Sequence, residues 1–306
     1  MRMIIIYIKE KINTIYAMVK YVLFYLAALV MISTGKVYGC SVAENSTRIA
    51  VAGGSITEIL YALGAQHKII ALDTTSNYPL EAKNLPSIGY VRNLSSEGLL
   101  SLNPTLVLGE NDMGPPTVLN QLERTGIDVR IIEERHNATG VLNKIKCIGE
   151  IINQAEKTAE FISSNLIPQI EKLETLANSN KLSGYKIMFI LNVQGGSPIV
   201  SGRGTSAHGL ISMSGAQNIM SQHDGWKQLS PESIIEAGPD AVVITERGLD
   251  SYGTIETLYA HPSLSLTPAF RNKRVIVMDG MAMIGFGPRT IFSAVRIASI
   301  LNEMAN

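Results

Sequence analysis

"LSSEGLLSLNPTLVLG", residues 94–109, and "LSPESIIEAGPDAVVI", residues 229–244, carry one pattern twice. Each opens with Leu-Ser-x-Glu, repeats apolar residues at matching positions, and meets a proline just before an apolar run. A serine ahead of an acidic first turn is a helix start, and a proline closes the helix before a buried strand. A second pair stands in the same order: "RIAVAGG" (48–54) and "YKIMFILNVQGGS" (185–197) each read as a strand ending in glycines. Two matches in one order indicate a chain built as two similar halves.

The first half alternates throughout. After the strand 48–54 comes "SITEILYALG" (55–64), where Ser55 and Glu58 have capping-box spacing and Gly64 ends the helix. The strand "KIIALD" (68–73) follows, then the loop "LDTTSNYP" and the helix–strand unit quoted first. The helix "TVLNQLERTG" (117–126) and the strand "IDVRIIE" (127–133) complete it. Between the halves, 137–180 is almost wholly helical in pattern. Its stretch from Asn153 to Ala177 would reach roughly 35 Å at about 1.5 Å per residue, with Pro168 as a kink point. Flexible linkers are rich in Gly, Ser or Pro, and this one is not. The expected fold is α/β: two Rossmann-like lobes joined by a long rigid helix, with a ligand cleft between lobes that flex little. The expected boundaries are 1–43 for a signal peptide, 44–152 for the N-terminal lobe, 153–180 for the linking helix and 181–306 for the C-terminal lobe.

The leader rests on Lys9, Lys11 and Lys20 ahead of the apolar run "YVLFYLAALVMI" (21–32) and on small residues up to Ala43. That run is too short to span a bilayer, which takes about 20 residues. A cut after Ala43 gives a free exported protein. The competing reading takes "VYGC" as a lipidation box on Cys40, although Tyr38 is bulky for one. With two cysteines there is no disulfide framework, and loss of Cys40 with the leader leaves Cys147 as a buried, inert thiol. The 306 residues are 46% apolar and 17% charged with zero net charge, which permits a large core and gives no electrostatic case for nucleic acid.

Several segments together resemble the haem-binding periplasmic proteins of bacterial haem ABC importers. They are "AGGSITEILYALGA", "DTTSNYP", "LPSIGYVRNLSSEGLLSLNPTLVL", "SPIVSGRGTSAHGLI", "LSPESI", "LTPAFRNKRVIVMDG" and "GFGPR". The class also includes cobalamin and siderophore carriers, which form the alternative reading, but "DTTSNYP" marks the haem subgroup. The resemblance implies that Tyr78 is the axial ligand of ferric haem, the transported cargo. Chemistry supports the assignment independently: a phenolate is a hard anionic donor suited to Fe(III), and Pro79 biases the residue before it toward extended backbone. A structural tyrosine half buried against its lobe is the bland alternative.

Propionates and ring faces need further contacts. Arg92, Arg203, Arg247 and Arg289 follow strands or glycine turns, where open α/β lobes bind ligands, and Arg247 and Arg203 are favoured. Met281, Met283, Ile284 and Phe286 in "MDGMAMIGFG" offer apolar cover, or else belong to the core. The resemblance further implies that Glu97 and Glu232, at equivalent places in the two repeats, dock a two-fold inner-membrane permease, downstream of an outer-membrane haem receptor system. Helix-dipole complementarity alone would also explain these acids.

The remaining motifs point elsewhere or nowhere. His67, His136, His208, His223 and His261 are scattered without metal-ligand spacing. Gly53-Gly54 and Gly195-Gly196 lack nucleotide-loop spacing and read as tight strand exits into the cleft. The triplets at Asn45, Asn93 and Asn137 match a glycan acceptor pattern that often arises by chance. No nucleophile–base constellation or catalytic carboxylate pair is visible, so an enzyme is not expected.

Overall fold

A computed structural model describes residues 39–179 and 182–305. The charged and apolar parts of the leader therefore lie outside the described residues. Strand β1 (Ile49–Ala52) lies between β2 (Ile69–Leu72) and a later strand, and β3 (Gly89–Tyr90) pairs with β4 (Asn93–Leu94) in a small antiparallel ribbon. With β5 (Leu106–Glu110) and β6 (Asp128–Ile132) the first sheet has the order β2-β1-β5-β6, every neighbour parallel. Parallel sheets are covered on both faces, which is why these strands read as continuous apolar runs. Ile49, Val51, Leu106 and Leu108 face the helices Gly54–Ala62 and Ala138–Ile151. Ala50, Ala52 and Val107 face Leu99, Leu119 and Leu122 of the opposite layer.

The second sheet contains β7 (Lys186–Gln194), β8 (Ser197–Ser201), β9 (Gln217–Asn218), β10 (Trp226–Gln228), β11 (Ala241–Thr245) and β12 (Val275–Met278). Its order is β10-β8-β7-β11-β12, with β9 beside β7. β7, β11 and β12 run parallel, while β8 and β10 join antiparallel. Helices Ser206–Met213 and Pro288–Met304 cover one face, and Pro231–Ala237 with Ile255–Tyr259 cover the other.

The repeated segments take equivalent places. Ser95 caps helix Ser96–Ser101 by accepting from Gly98 N–H, and Ser230 caps Pro231–Ala237 by accepting from Ser233 N–H. Each helix is followed by a left-handed residue ahead of its proline: Asn103 at φ 47° and Gly238 at φ 55°. Asparagine and glycine tolerate that conformation better than other residues. The next strands, β5 and β11, hold matching positions beside β1 and β7.

Four local expectations need correction. Ser55 and Glu58 do not form a capping box, because the helix begins at Gly54; Ser55 binds Glu110 and Glu58 binds Arg289 instead. Gly195 and Gly196 do not exit into the cleft. Both have positive φ, as a two-residue hairpin turn requires, and they join β7 to β8. The helical run 153–177 starts later and is not one α-helix: Asn153 has φ 57°, and Ala155–Phe161 passes through a π-helical turn, Ile162–Leu166, into Ile167–Ala177. Pro168 is the second residue after that turn, where its missing N–H would interrupt a regular ladder. Finally, Cys147 is not a single thiol, since it is disulfide-bonded to Cys40 across 107 residues. Ser41 Oγ accepts from Arg130, and Ala43 is buried with its N–H donating to Ile151. Residues 40–43 are thus packed against the first lobe.

Phe286 and Ile291, which follow the second sheet in sequence, sit in the core of the first lobe. Helix Pro288–Met304 also packs along Ile167–Ala177, so the halves share buried contacts besides the helical run. No described helix is long and apolar enough to cross a membrane.

Candidate ligand cleft

The carboxyl ends of the parallel strands open into a cleft of about 650 Å³, within the ~300–1,000 Å³ usual for small-molecule sites. The first lobe contributes Thr75 after β2, Tyr90 to Arg92, Glu110 to Asp112 after β5, and Glu134 with His136 after β6. Across from them stand Leu191, Gly204 to Ser206, Gly225, Trp226, Met281, Ile284 and Gly285. Tyr90 and Trp226 are exposed aromatics on opposing lobes, and such flat faces suit a planar ligand.

Tyr78 lies three residues beyond Thr75 and is 46% exposed. Its bond to Pro79 is cis. The Arg289 guanidinium covers one face of its ring, with the carbon 3.8 Å from the centroid. Arg289 is itself held by Glu58 (Nη2 to Oε1, 2.6 Å) and Asp279 (Nη1 to Oδ1, 3.1 Å). Burial works against its charge, but hydrogen bonding to Glu58 and the fields of Glu58, Asp279 and Tyr78 outweigh that and raise its pKa. Glu58 is pushed up, chiefly by burial, with Arg289 opposing.

A second charged cluster lies at the cleft floor. Lys144 Nζ is enclosed between Glu134 Oε2 (2.5 Å) and Glu110 Oε1 (3.4 Å). Ser55 Oγ donates to Glu110 Oε1, and His136 Nε2 pairs with Glu134 Oε1 at 3.1 Å. The His136 ring rests on Phe286, centroids 4.8 Å apart. Burial opposes the Lys144 charge, yet its two carboxylate neighbours raise its pKa. Burial lifts Glu110. Burial also acts to lift Glu134, but His136 and Lys144 prevail and lower it.

The sequence-predicted residues divide accordingly. Arg92, Met281 and Ile284 line the cleft; Tyr78 and Arg289 stack on each other and are not among its lining residues, the nearest of which in sequence to Tyr78 is Thr75. Arg92 is paired with Asp112 at 2.7 Å and stands 5.9 Å from the Tyr90 ring. Arg203 is exposed next to the cleft residue Gly204 and forks onto Asp224 at 2.8 and 3.1 Å. Arg247 is exposed in the first turn of Glu246–Tyr252 and is not among the cleft residues. Met283 and Phe286 belong to the core, each 0% exposed, so a cleft ligand does not reach them in this conformation. Glu97 and Glu232 are both exposed, in the first turns of their capped helices. Among the described residues, no group of three or more His, Cys, Asp or Glu could hold a bare metal ion.

The family model for periplasmic binding proteins matches residues 49–282, most of the chain. The chain belongs to the periplasmic binding protein family. This is a solute-binding family of ABC transporter type, not a family of enzymes, and its members are exported. Among solved structures, this periplasmic binding protein is similar to the periplasmic heme-binding protein BhuT in complex with two hemes. The TM-score is 0.80 at 33% identity, covering 86% of this chain and 100% of that one. The periplasmic heme-binding protein RhuT from Roseiflexus sp. RS-1 gives 0.79 at 32%, covering 86% and 100%. HutB of Vibrio cholerae, also a periplasmic heme-binding protein, gives 0.74 at 35%, covering 84% and 99%. In sequence, an uncharacterized ABC transporter substrate-binding lipoprotein, YvrC of Bacillus subtilis, is 28% identical over 78% of this chain and 74% of its own. A vitamin B12-binding protein of Pectobacterium carotovorum is 24% identical over 81% and 86%.

Sequence reasoning missed Glu110, Glu134 and Lys144. Lys144 falls on the apolar stripe of Ala138–Ile151 with Val141, Ile145 and Ile148, and an ionisable residue on such a stripe was the available signal. Glu110 ends a buried parallel strand, where site residues collect.

Proposed function

We propose that this chain is the periplasmic haem carrier of an ABC importer, holding ferric haem through the Tyr78 phenolate. The stack of Arg289 on Tyr78, three residues beyond the cleft residue Thr75, carries the reading. A cation held 3.8 Å from the ring complements the anionic oxygen donor that ferric iron prefers. In this reading Arg92 at the cleft and Arg203, next to the lining residue Gly204, meet the propionates, exchanging Asp112 and Asp224 for the ligand. Tyr90, Trp226 and Met281 are the apolar cover. The loaded carrier docks a two-fold inner-membrane permease through Glu97 and Glu232, and receives haem that an outer-membrane receptor has admitted. Because Cys40 is disulfide-bonded and Ala43 is buried, the leader boundary belongs before residue 40 in this reading.

Hemin titration followed by absorbance tests the proposal. Wild type should give a Soret band with ferric tyrosinate features, and Tyr78→Phe should lose those features. Retention of the wild-type spectrum by the variant would remove Tyr78 as ligand. The vitamin B12-binding relatives favour a second reading, a corrinoid carrier. Tight cyanocobalamin binding that hemin fails to displace would establish that reading in place of the first.

A further inference from the structure

One buried carboxylate stands at the root of the Tyr78 loop. Asp73, 3% exposed, follows β2 and accepts four hydrogen bonds. Oδ1 accepts from Gly53 N–H (3.0 Å) and Ser76 Oγ (2.8 Å). Oδ2 accepts from Thr75 N–H (2.9 Å) and Thr75 Oγ1 (2.7 Å). About four acceptor sites are all that a carboxylate offers, so Asp73 is saturated. Its partners extend the tie: Thr75 Oγ1 accepts from Gly54 N–H at 3.1 Å, and Ser76 Oγ lies 2.8 Å from Thr57 Oγ1. Asp73 therefore does two things at once. It satisfies the Gly53 N–H at the start of helix Gly54–Ala62, and it folds residues 73–76 back onto that helix.

Between this anchor and the phenol, Asn77 closes the turn onto the carbonyls of Thr74 and Thr75, so the anchored segment 73–76 sets where Tyr78 begins. Among the described residues the Tyr78 hydroxyl makes no hydrogen bond, and Arg289 covers only one ring face. An iron ligand must be held to within about 0.5 Å to be effective. Resting on the reading of Tyr78 as the haem-iron ligand, we propose that Asp73 is the positioning residue for that ligand, fixing where the phenol oxygen stands relative to the cleft.

The experiment is a double-mutant cycle of Asp73→Asn and Tyr78→Phe, read by hemin titration and by the ferric tyrosinate spectrum. Asparagine keeps the shape of the side chain but turns an N–H₂ group toward the donors of Thr75. In the wild-type background Asp73→Asn should lower hemin affinity about tenfold and weaken the tyrosinate signature. In the Tyr78→Phe background it should change hemin affinity by less than about twofold. Ser76→Ala removes one of the four bonds and should show the same selectivity with a smaller loss, which decides the matter if Asp73→Asn does not fold. A wild-type tyrosinate spectrum in Asp73→Asn overturns the inference, as does an equal loss in both backgrounds. Both results leave Tyr78 as ligand intact, whereas absence of hemin binding by wild type removes that reading and this inference with it.

Discussion

The guanidinium of Arg289 lies over the ring of Tyr78 at 3.8 Å, and its other side is tied to Glu58 and Asp279. Tyr78 comes from the first lobe, and Arg289 opens the helix that follows the second sheet. The pair therefore joins parts of the chain that are far apart in sequence.

Replacing Arg289 should weaken the tyrosinate. Arg289→Ala is expected to lower hemin affinity about tenfold, roughly 1.4 kcal/mol, and to weaken the tyrosinate band. Arg289→Lys keeps the charge but loses the flat face, so it should fall between the two. Hemin titrations of the wild type and the two variants separate these outcomes.

Lys144 should be far less replaceable than a surface lysine. Lys144→Met leaves Glu110 and Glu134 facing each other without their cation, at a cost of about 3–5 kcal/mol. Adding Glu110→Gln and Glu134→Gln should recover most of the loss. Equilibrium urea unfolding of the single and triple variants measures both effects.

The same cluster predicts a response to acid. The Glu134 carboxyl titrates below its ordinary range in the folded protein, so its contribution to stability is fully present above the unfolded glutamate pKa and is lost as pH falls through the folded value. Glu58 and Glu110 are raised, so their contributions have the opposite sign: present below the ordinary pKa and lost as pH rises through the folded one. Unfolding free energy measured from neutral pH down past ~4 should fall less steeply in Glu134→Gln than in wild type.

Docking should be separable from binding. Glu97→Ala with Glu232→Ala should leave hemin titrations unchanged while abolishing uptake through a reconstituted permease. Equal uptake by the double variant would show that these acids serve only their own helices.

The architecture was legible because its signals are local. Ser95 and Ser230 announce two helices, the residues before two prolines end them, and the apolar runs of β1, β5, β7 and β11 have the lengths of buried strands. What the sequence could not give depends on contacts across long separations. Glu58 has capping-box spacing from Ser55, but a partner 231 residues away takes it. Cys40 and Cys147 carry no spacing rule that reveals their bond. Met281 and Met283 are two positions apart on one short helix, and only packing decides that the first meets the cleft and the second the core. The cleft cations were seen as residue types, whereas their partners Asp112, Asp224 and Asp279 were not.

Helix Ser206–Met213 of the second lobe passes so close to the first that a methyl group on Gly209 would collide with the carbonyl and side chain of His136. That contact lies at the cleft wall to which His136 belongs. It fixes the spacing between that helix and the segment after β6, because the glycine meets His136 with no side chain of its own between them. An alanine at 209 has to push one of the two segments aside, so Gly209→Ala should destabilise the fold.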